Sequence, residues 1–418
     1  MLNKDGQREL CYIVNINGIE PIVGSDNCEA AIVGGWKIMT RKGTFHVGDM
    51  AVYFEIDSKT PETKEFEFLA KKHYKVKTQK YTFGGKGNFI SQGLLMALED
   101  FPEIFEEDHV SNNGWVYTAK AKQLGDLVNP GDCLTQYLGV TYSVMEDNKR
   151  KGKSADKYSK MYQRHIKLFR KFKILQKIYN TKYGKKILFL FLGKKKDNRG
   201  WPDWVRKTDE ERCQNLPQLF PGDATKWIVT EKIDGTSTTF TYRKRGKNKG
   251  FYVCSRNVCF DTPEKADKCY YDNNIYIEMA EKYNIKEILQ DFLDNCDDLD
   301  FITIQGETYG AGVQNRTYSI EDHDFMAFNL IFGYKNGEVK RFNPITMTKI
   351  LKNYDIPCVP IVNESYILPA TCEELLDYAA SEVSKLDGGM REGIVLRTKD
   401  GKQSFKAVSN KFLIRYHG

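Results

Sequence analysis

Short apolar runs divided by turns fill the first 140 residues. Cys11 to Ile16, Trp36 to Met39, Met50 to Phe54 and Gly93 to Met96 are each of strand length. Gly18, Gly24, Gly34, Gly35, Gly43 and Gly48 punctuate them. Near 125–139, Gly125-Asp126 and Gly131-Asp132 frame Leu127, Val128 and Leu134. Many short strands separated by turns predict a small β-barrel or sandwich. The pattern then changes. His165, Leu168, Phe172, Leu175 and Tyr179 recur at spacings of 3, 4, 3 and 4, a helical stripe. Thr208 with Glu211 reads as a capping box that opens a short helix. Beyond it, strands are expected at Trp227 to Thr230, Phe301 to Ile304, Phe325 to Phe332, Gly393 to Arg397 and Ser404 to Val408. A hairpin is expected from Ser237 to Tyr242 and Phe251 to Ser255, and helices near 274–294 and 371–385. This irregular alternation is α+β, not a βαβ series. The expected divisions are 1–145, 146–200 and 201–418.

Charge singles out the middle piece. The net charge is +7, but residues 149–199 hold 19 Lys and Arg against Asp156 and Asp197, a local balance of +17. The remainder is therefore −10. A basic segment between acidic parts points to a polyanion, nucleic acid before an anionic membrane. A connecting helix packed on a neighbour, an RNA-gripping helix and a membrane-surface helix remain open, in that order.

Other classes are disfavoured. The longest unbroken apolar run, Ile187 to Leu192, is too short to span a bilayer. The N-terminus shows no signal-peptide pattern, so a soluble monomer in cytoplasm or nucleus is expected. The 10 Cys include no CxxC, and the 6 His show no zinc-ligand spacing, so free thiols in a reducing compartment are expected. Asn315-Arg316-Thr317 matches a glycosylation acceptor by chance. Neither GxGxxG nor a Walker A loop occurs.

One stretch carries chemistry: Thr230-Glu231-Lys232-Ile233-Asp234-Gly235. A strand ends in Lys-x-Asp-Gly, and Gly235 permits a tight turn close to a ligand. A lysine held there is a nucleophile if its amine is neutral. By itself such a tetrad also fits a salt-bridged turn. Further blocks follow in order: Cys254-Ser255-Arg256-Asn257, Gln305-Gly306-Glu307-Thr308-Tyr309-Gly310, Phe325-Met326-Ala327-Phe328-Asn329-Leu330-Ile331, Arg391-Glu392-Gly393-Ile394-Val395-Leu396-Arg397 and Ser404-Phe405-Lys406-Ala407-Val408.

In this order the blocks resemble the motif series of the covalent nucleotidyltransferases: RNA ligases, DNA ligases and mRNA capping enzymes. Gly306 to Gly310 and Phe325-x-x-Phe328 look like the RNA ligase versions. The whole chain resembles the ATP-dependent RNA ligases with an N-terminal OB-type β-barrel. A basic helical connector and a C-terminal α+β nucleotidyltransferase domain with antiparallel sheets complete that plan.

The resemblance implies roles. Lys232 would attack the α-phosphorus of ATP, and the AMP would pass to an RNA 5′-phosphate before a 3′-hydroxyl displaces it. Glu231, Arg256, Glu307, Phe328, Lys406 and Arg212 would bind the nucleotide. Phe328 would stack on adenine, Glu307 would hold the ribose, Lys406 would grip the α-phosphate, and Arg212 would reach the pyrophosphate. Asp234 and Glu392 would hold the water shell of Mg2+ or Mn2+. Taken singly, Phe328 fits a core strand and the charged residues fit a solvated surface. Val408 departs from the family, where a second lysine is common. Partners would be RNA ends in a nicked duplex, with no membrane. The rivals are a DNA ligase, a GTP-dependent capping enzyme, or an inactive nucleic-acid-binding protein. All the AMP chemistry is expected at or after Arg212, with the N-terminal domain and the basic segment reserved for RNA.

Overall fold

The computed structural model describes residues 1–2, 8–85, 87–102, 104–111, 114–119, 128–143, 168, 172–181, 184–192, 201–260 and 274–417. Two three-stranded antiparallel sheets build the N-terminal part. One runs in the order Cys11–Asn15, Met50–Phe54, Leu94–Ala97, and the other in the order Gly18–Pro21, Cys28–Val33, Trp36–Arg41. Strands Cys11–Asn15 and Met50–Phe54 read as continuous apolar runs because both their faces are buried. Tyr12, Val14, Ala51 and Tyr53 enter a core shared with Trp36 and Ile38. Cys11, Ile13, Val52 and Phe54 point the other way, onto Phe66, Leu69 and Phe101.

Only part of the basic segment lies within the described residues. Lys173–Tyr179 and Gly184–Leu192 are helices that meet through Leu175, Tyr179, Leu188 and Leu192. The end of the expected stripe, Leu175 and Tyr179, lies on the first of these helices with Phe172 at its N-cap, and His165 lies outside the described residues. Gly125-Asp126 and Leu127 lie outside them too. Among the described residues no helix is long and apolar enough to cross a membrane.

The C-terminal part stacks two sheets across a cleft. A six-stranded sheet runs in the order Cys259–Phe260, Gly250–Ser255, Thr236–Arg243, Leu299–Gly310, His323–Tyr334, Val339–Arg341. Phe240, Ile302, Ile304 and Leu330 on one face pack beneath helices Ile275–Lys282, Ile285–Asn295 and Pro344–Lys352. Alternation puts Thr239, Thr241, Thr303 and Gln305 on the other face, where Thr303 donates to Thr241 at 2.7 Å and Asn329 to Gln305 at 2.8 Å. A five-stranded sheet runs in the order Glu211–Arg212, Ser404–Val408, Gly393–Thr398, Trp227–Lys232, Ile361–Tyr366. Its first pair is parallel and the rest are antiparallel. Helix Cys372–Ser381, capped by Thr371, covers its outer face through Leu375, Leu376 and Ala379.

The helix expected after Thr208 does not form. A turn at 203–205 is followed by irregular backbone at 206–210, and 3-10 turns appear only at Cys213–Asn215 and Pro217–Leu219. The capping atoms are used elsewhere. The Thr208 hydroxyl meets Ser237, and Glu211 accepts from the Asn215 side chain at 2.8 Å.

The two halves of the chain are bolted together. Arg8 bridges Glu55 at 2.9 Å and Asp209 at 3.1 Å. Trp36 donates its indole N–H to Asn215 at 2.6 Å, and Asn215 donates to Glu55 at 2.7 Å. Val408 and Leu413 sit in the same apolar cluster as Tyr12 and Trp36. Burial alone would raise the Glu55 carboxyl, but Arg8, the Met1 ammonium and Asn215 outweigh it and hold it at about 2.

A carboxylate with a depressed folded pKa stabilises fully above its unfolded value and loses that contribution as pH falls. The Glu55 contribution, about 3 kcal/mol, is complete above pH ~4.5 and fades toward pH ~2. Urea unfolding of the wild type between those pH values is expected to show this slope. Glu55→Gln should be less stable at neutral pH and should lack that part of the slope.

Candidate active site

A cleft of about 1370 Å³ opens between the two sheets. Lys232 ends its strand directly opposite Gly393, so Glu392 lies beside it. The Lys232 ammonium meets Glu392 Oε1 at 2.7 Å. Gly393 admits no side chain, because a Cβ there would stand 2.3 Å from the Ala407 carbonyl oxygen. Burial pulls the Lys232 ammonium down, but Glu392, Glu307 and Asp234 together push it up to about 12. Burial lifts Glu307 to about 8, with Lys232 opposing and Glu392 and Asp234 reinforcing. Burial likewise raises Glu392. An amine so charged is no nucleophile until something positive relieves the carboxylates.

The structure has places for that charge. Asp234 Oδ2 and Glu392 Oε2 are buried without a hydrogen-bond partner. Buried polar atoms are rarely left so, and two carboxylate oxygens of this kind fit a hydrated divalent cation. The other Asp234 oxygen is held by His417 Nε2 at 3.2 Å, and the Asp234 amide donates to the Tyr318 hydroxyl at 2.7 Å.

Facing this acidic group is a row of cations. The parallel pairing sets Arg212 beside Lys406. Arg212 donates to Asp57 at 2.9 Å, while its Nε and Nη1 are buried without partners. Lys406 meets Asp209 at 2.8 Å. Burial pulls Lys406 down to about 7, Asp209 opposing and Arg8, Arg212 and Lys232 adding to the fall. Arg256 also pairs with Asp209 and lies over the Tyr142 ring, 5.1 Å from its centre.

Phe328 reaches the cleft by an irregularity. Gly306 pairs with Ala327 and Gln305 with Asn329, which leaves Phe328 as the extra residue of a β-bulge. Its carbonyl accepts from Arg397 at 2.7 Å, and its ring packs beside Ile233 and Val359 on the cleft wall.

Lys232, Asp234, Glu307, Phe328, Glu392, Arg212, Arg256 and Lys406 thus line one cleft. Glu231 is the exception in orientation. Its carboxylate accepts from the Lys385 amide at 2.9 Å, on the face opposite Lys232 by strand alternation. Sequence reasoning missed Arg8, Asp57, Tyr142, Asp209 and His417. Asp209 lies in a run read as a helix start, and the others stand in no motif.

Residues 225–408 match the RNA ligase family model, and residues 10–98 match an OB-fold domain. The C-terminal domain is thus similar to the RNA ligase family. Among solved structures, the Naegleria gruberi RNA ligase with pyrophosphate is 25% identical, with a TM-score of 0.67 over 97% of this chain and 98% of that one. A variant of the same ligase with ATP and Mn gives 25% identity and a TM-score of 0.66 over 98% and 100%. Another, with AMP and Mn, gives 25% and 0.66 over 98% and 99%. No protein of curated function matches this chain by sequence. Its fold is α+β, with the OB-fold domain first and antiparallel sheets in the C-terminal domain.

The orphaned oxygens make a direct prediction. Asp234→Ala and Glu392→Ala should each weaken Mn2+ binding roughly 10- to 100-fold, read by electron paramagnetic titration without nucleotide. Native affinity in both variants would move the ion elsewhere.

Proposed function

We propose that this protein is an RNA ligase that uses ATP to join a 3′-hydroxyl to a 5′-phosphate at nicks in duplexes containing RNA, acting as a monomer. The observation that carries this reading is the placing of Lys232 between two orphaned carboxylate oxygens and a row of cations. That placing fits an amine attacking a phosphate. The Lys232 amine, having lost its proton, forms a bond to the α-phosphorus while the bond to pyrophosphate breaks. The AMP passes to the RNA 5′-phosphate, and attack by the 3′-hydroxyl then releases it.

Each assigned residue has a part. Lys406 and Arg256 hold the α-phosphate, and the free Arg212 donors take the departing pyrophosphate. Phe328 stacks on adenine, worth roughly 1–3 kcal/mol, and Glu307 accepts from the ribose. Glu231 acts at one remove, fixing the turn at Lys385 behind the nucleophile. Asp234 and Glu392 would hold the water shell of Mg2+ or Mn2+, which when bound would favour the neutral Lys232 amine and offset charge on the phosphate. Val408 stands where a second lysine is common, and its burial among Tyr12, Trp36 and Leu413 supports a packing role.

The proposed divisions are 1–145, 146–200 and 201–418, but their labour is less separate than the motifs imply. Asp57 holds Arg212, and Arg8 holds Asp209.

Incubation with labelled ATP should yield an acid-labile AMP adduct on the wild type. Lys232→Ala should yield none while keeping its fold, and adduct on that variant would overturn the assignment. A panel of nicks with RNA or DNA on either side of the break then reads the substrate. A second test concerns the N-terminal half. A fragment beginning at Trp201 should load AMP at least tenfold more slowly than the full chain, because Arg212 and Asp209 lose their partners. Circular dichroism checks its fold, and native loading by a folded fragment would restore the sharper division.

A further inference from the structure

Three cations converge on one carboxylate. Asp209 Oδ1 accepts from Lys406 at 2.8 Å, and Arg8 Nη2 donates to the same oxygen at 3.2 Å. Asp209 Oδ2 accepts from Arg256 at 2.5 Å and from Arg8 Nε at 3.1 Å. Arg8 is itself pinned from behind by Glu55. We infer that Asp209 is a positioning residue for nucleotidyl transfer, holding Lys406 and Arg256 together at the phosphate site and tied in place by Arg8 of the N-terminal domain. This rests on the proposed adenylation of Lys232.

Asp209 holds these cations without using them up. An ammonium has three donors and a guanidinium five, so one bond each to Asp209 leaves both free to meet phosphate oxygens. Without the carboxylate, Arg8 would keep only Glu55, while Arg256 and Lys406 would lose the anion that draws them together and would spread apart. Long cationic side chains lose much rotamer freedom when ordered, so a fixed anchor lowers the cost of binding a phosphate. The carboxylate also favours the ammonium form of Lys406, which Arg8, Arg212 and Lys232 oppose. Non-helical backbone at 206–210 places Asp209 on the cleft wall.

The test is a mutant cycle on lysyl-AMP formation by the full chain. Asp209→Asn should lower kcat/KM for ATP roughly 10- to 100-fold, the range for loss of a charge-assisted hydrogen bond. A substantial part of that loss should be a rise in KM. Asp209→Glu should recover part of it. In a Lys406→Ala, Arg256→Ala background the further loss from Asp209→Asn should fall below about threefold, because the residue acts through those two. A merely structural role gives the same loss in both backgrounds and would overturn the inference, as would native kcat/KM in Asp209→Asn. Should Asp209→Asn not fold, as read from its thermal unfolding, the cycle is run with Asp209→Glu. That variant keeps the charge and shifts it by one methylene, and native kcat/KM there would equally overturn the role. Absence of any adduct in the wild type removes the proposed function and this inference together. Adduct in the wild type with an unaffected Asp209→Asn removes the inference alone.

Discussion

The Lys232 amine is held among carboxylates that keep it charged. That constraint shapes the C-terminal domain. Lys232 reaches Glu392 only because its strand pairs in one register with Gly393–Thr398, and a slip of one residue would turn Lys232 to the helix-covered face. The register in turn needs Gly393, since any Cβ would collide with the Ala407 carbonyl of the next strand. Three strands are thus fixed against one another around a single missing side chain. The result is a site that is electrostatically incomplete by itself. Two orphaned oxygens and a lysine pushed up to about 12 describe a protein poised for a cation it does not contain in its sequence.

The second constraint is repulsion on the opposite wall. Arg8, Arg212, Arg256 and Lys406 gather within a partly buried region, and buried charge is tolerated only when paired. Asp57, Asp209 and Glu55 supply the pairing, and two of these come from the N-terminal domain. The same contacts that stop the cations flying apart therefore join the OB-fold domain to the ligase domain. Val408 adds the apolar part of that joint, which gives a physical reason for its departure from lysine. A charged side chain there would have to leave the cluster with Tyr12 and Trp36.

Much of this was legible in the chain. Apolar runs marked most strands, because a strand buried on both faces leaves no alternation to misread. A helix expected near 371–385 forms as Cys372–Ser381, where the structure shows Thr371 and Glu374 closing its N-terminus. The ordered motif blocks named the residues that the cleft brings together, and did so without any knowledge of the sheets. Local signals failed where local partners were outbid. Thr208 and Glu211 have the letters of a capping box, yet Thr208 bonds to Ser237, Glu211 accepts from the distant Leu2 amide, and the segment forms no helix. Strands Val339–Arg341 and Ile361–Tyr366 and helix Pro344–Lys352 carry weak patterns and form at sheet edges or against a core already built.

The sequence by itself determined the identities and order of the cleft residues, a lysine, carboxylates and cations, since those are covalent facts. Only the tertiary structure decided their aim. Strand alternation turned Glu231 away from Lys232 although the two are adjacent, and a single bulged residue swung Phe328 into the cleft. Arg8 and Asp57 lie some 150 to 200 positions before the residues they hold, and no local rule links such distant charges. Their meeting depends on two separately folded sheets closing over one low-dielectric cleft, where an unpaired charge is too costly to leave alone.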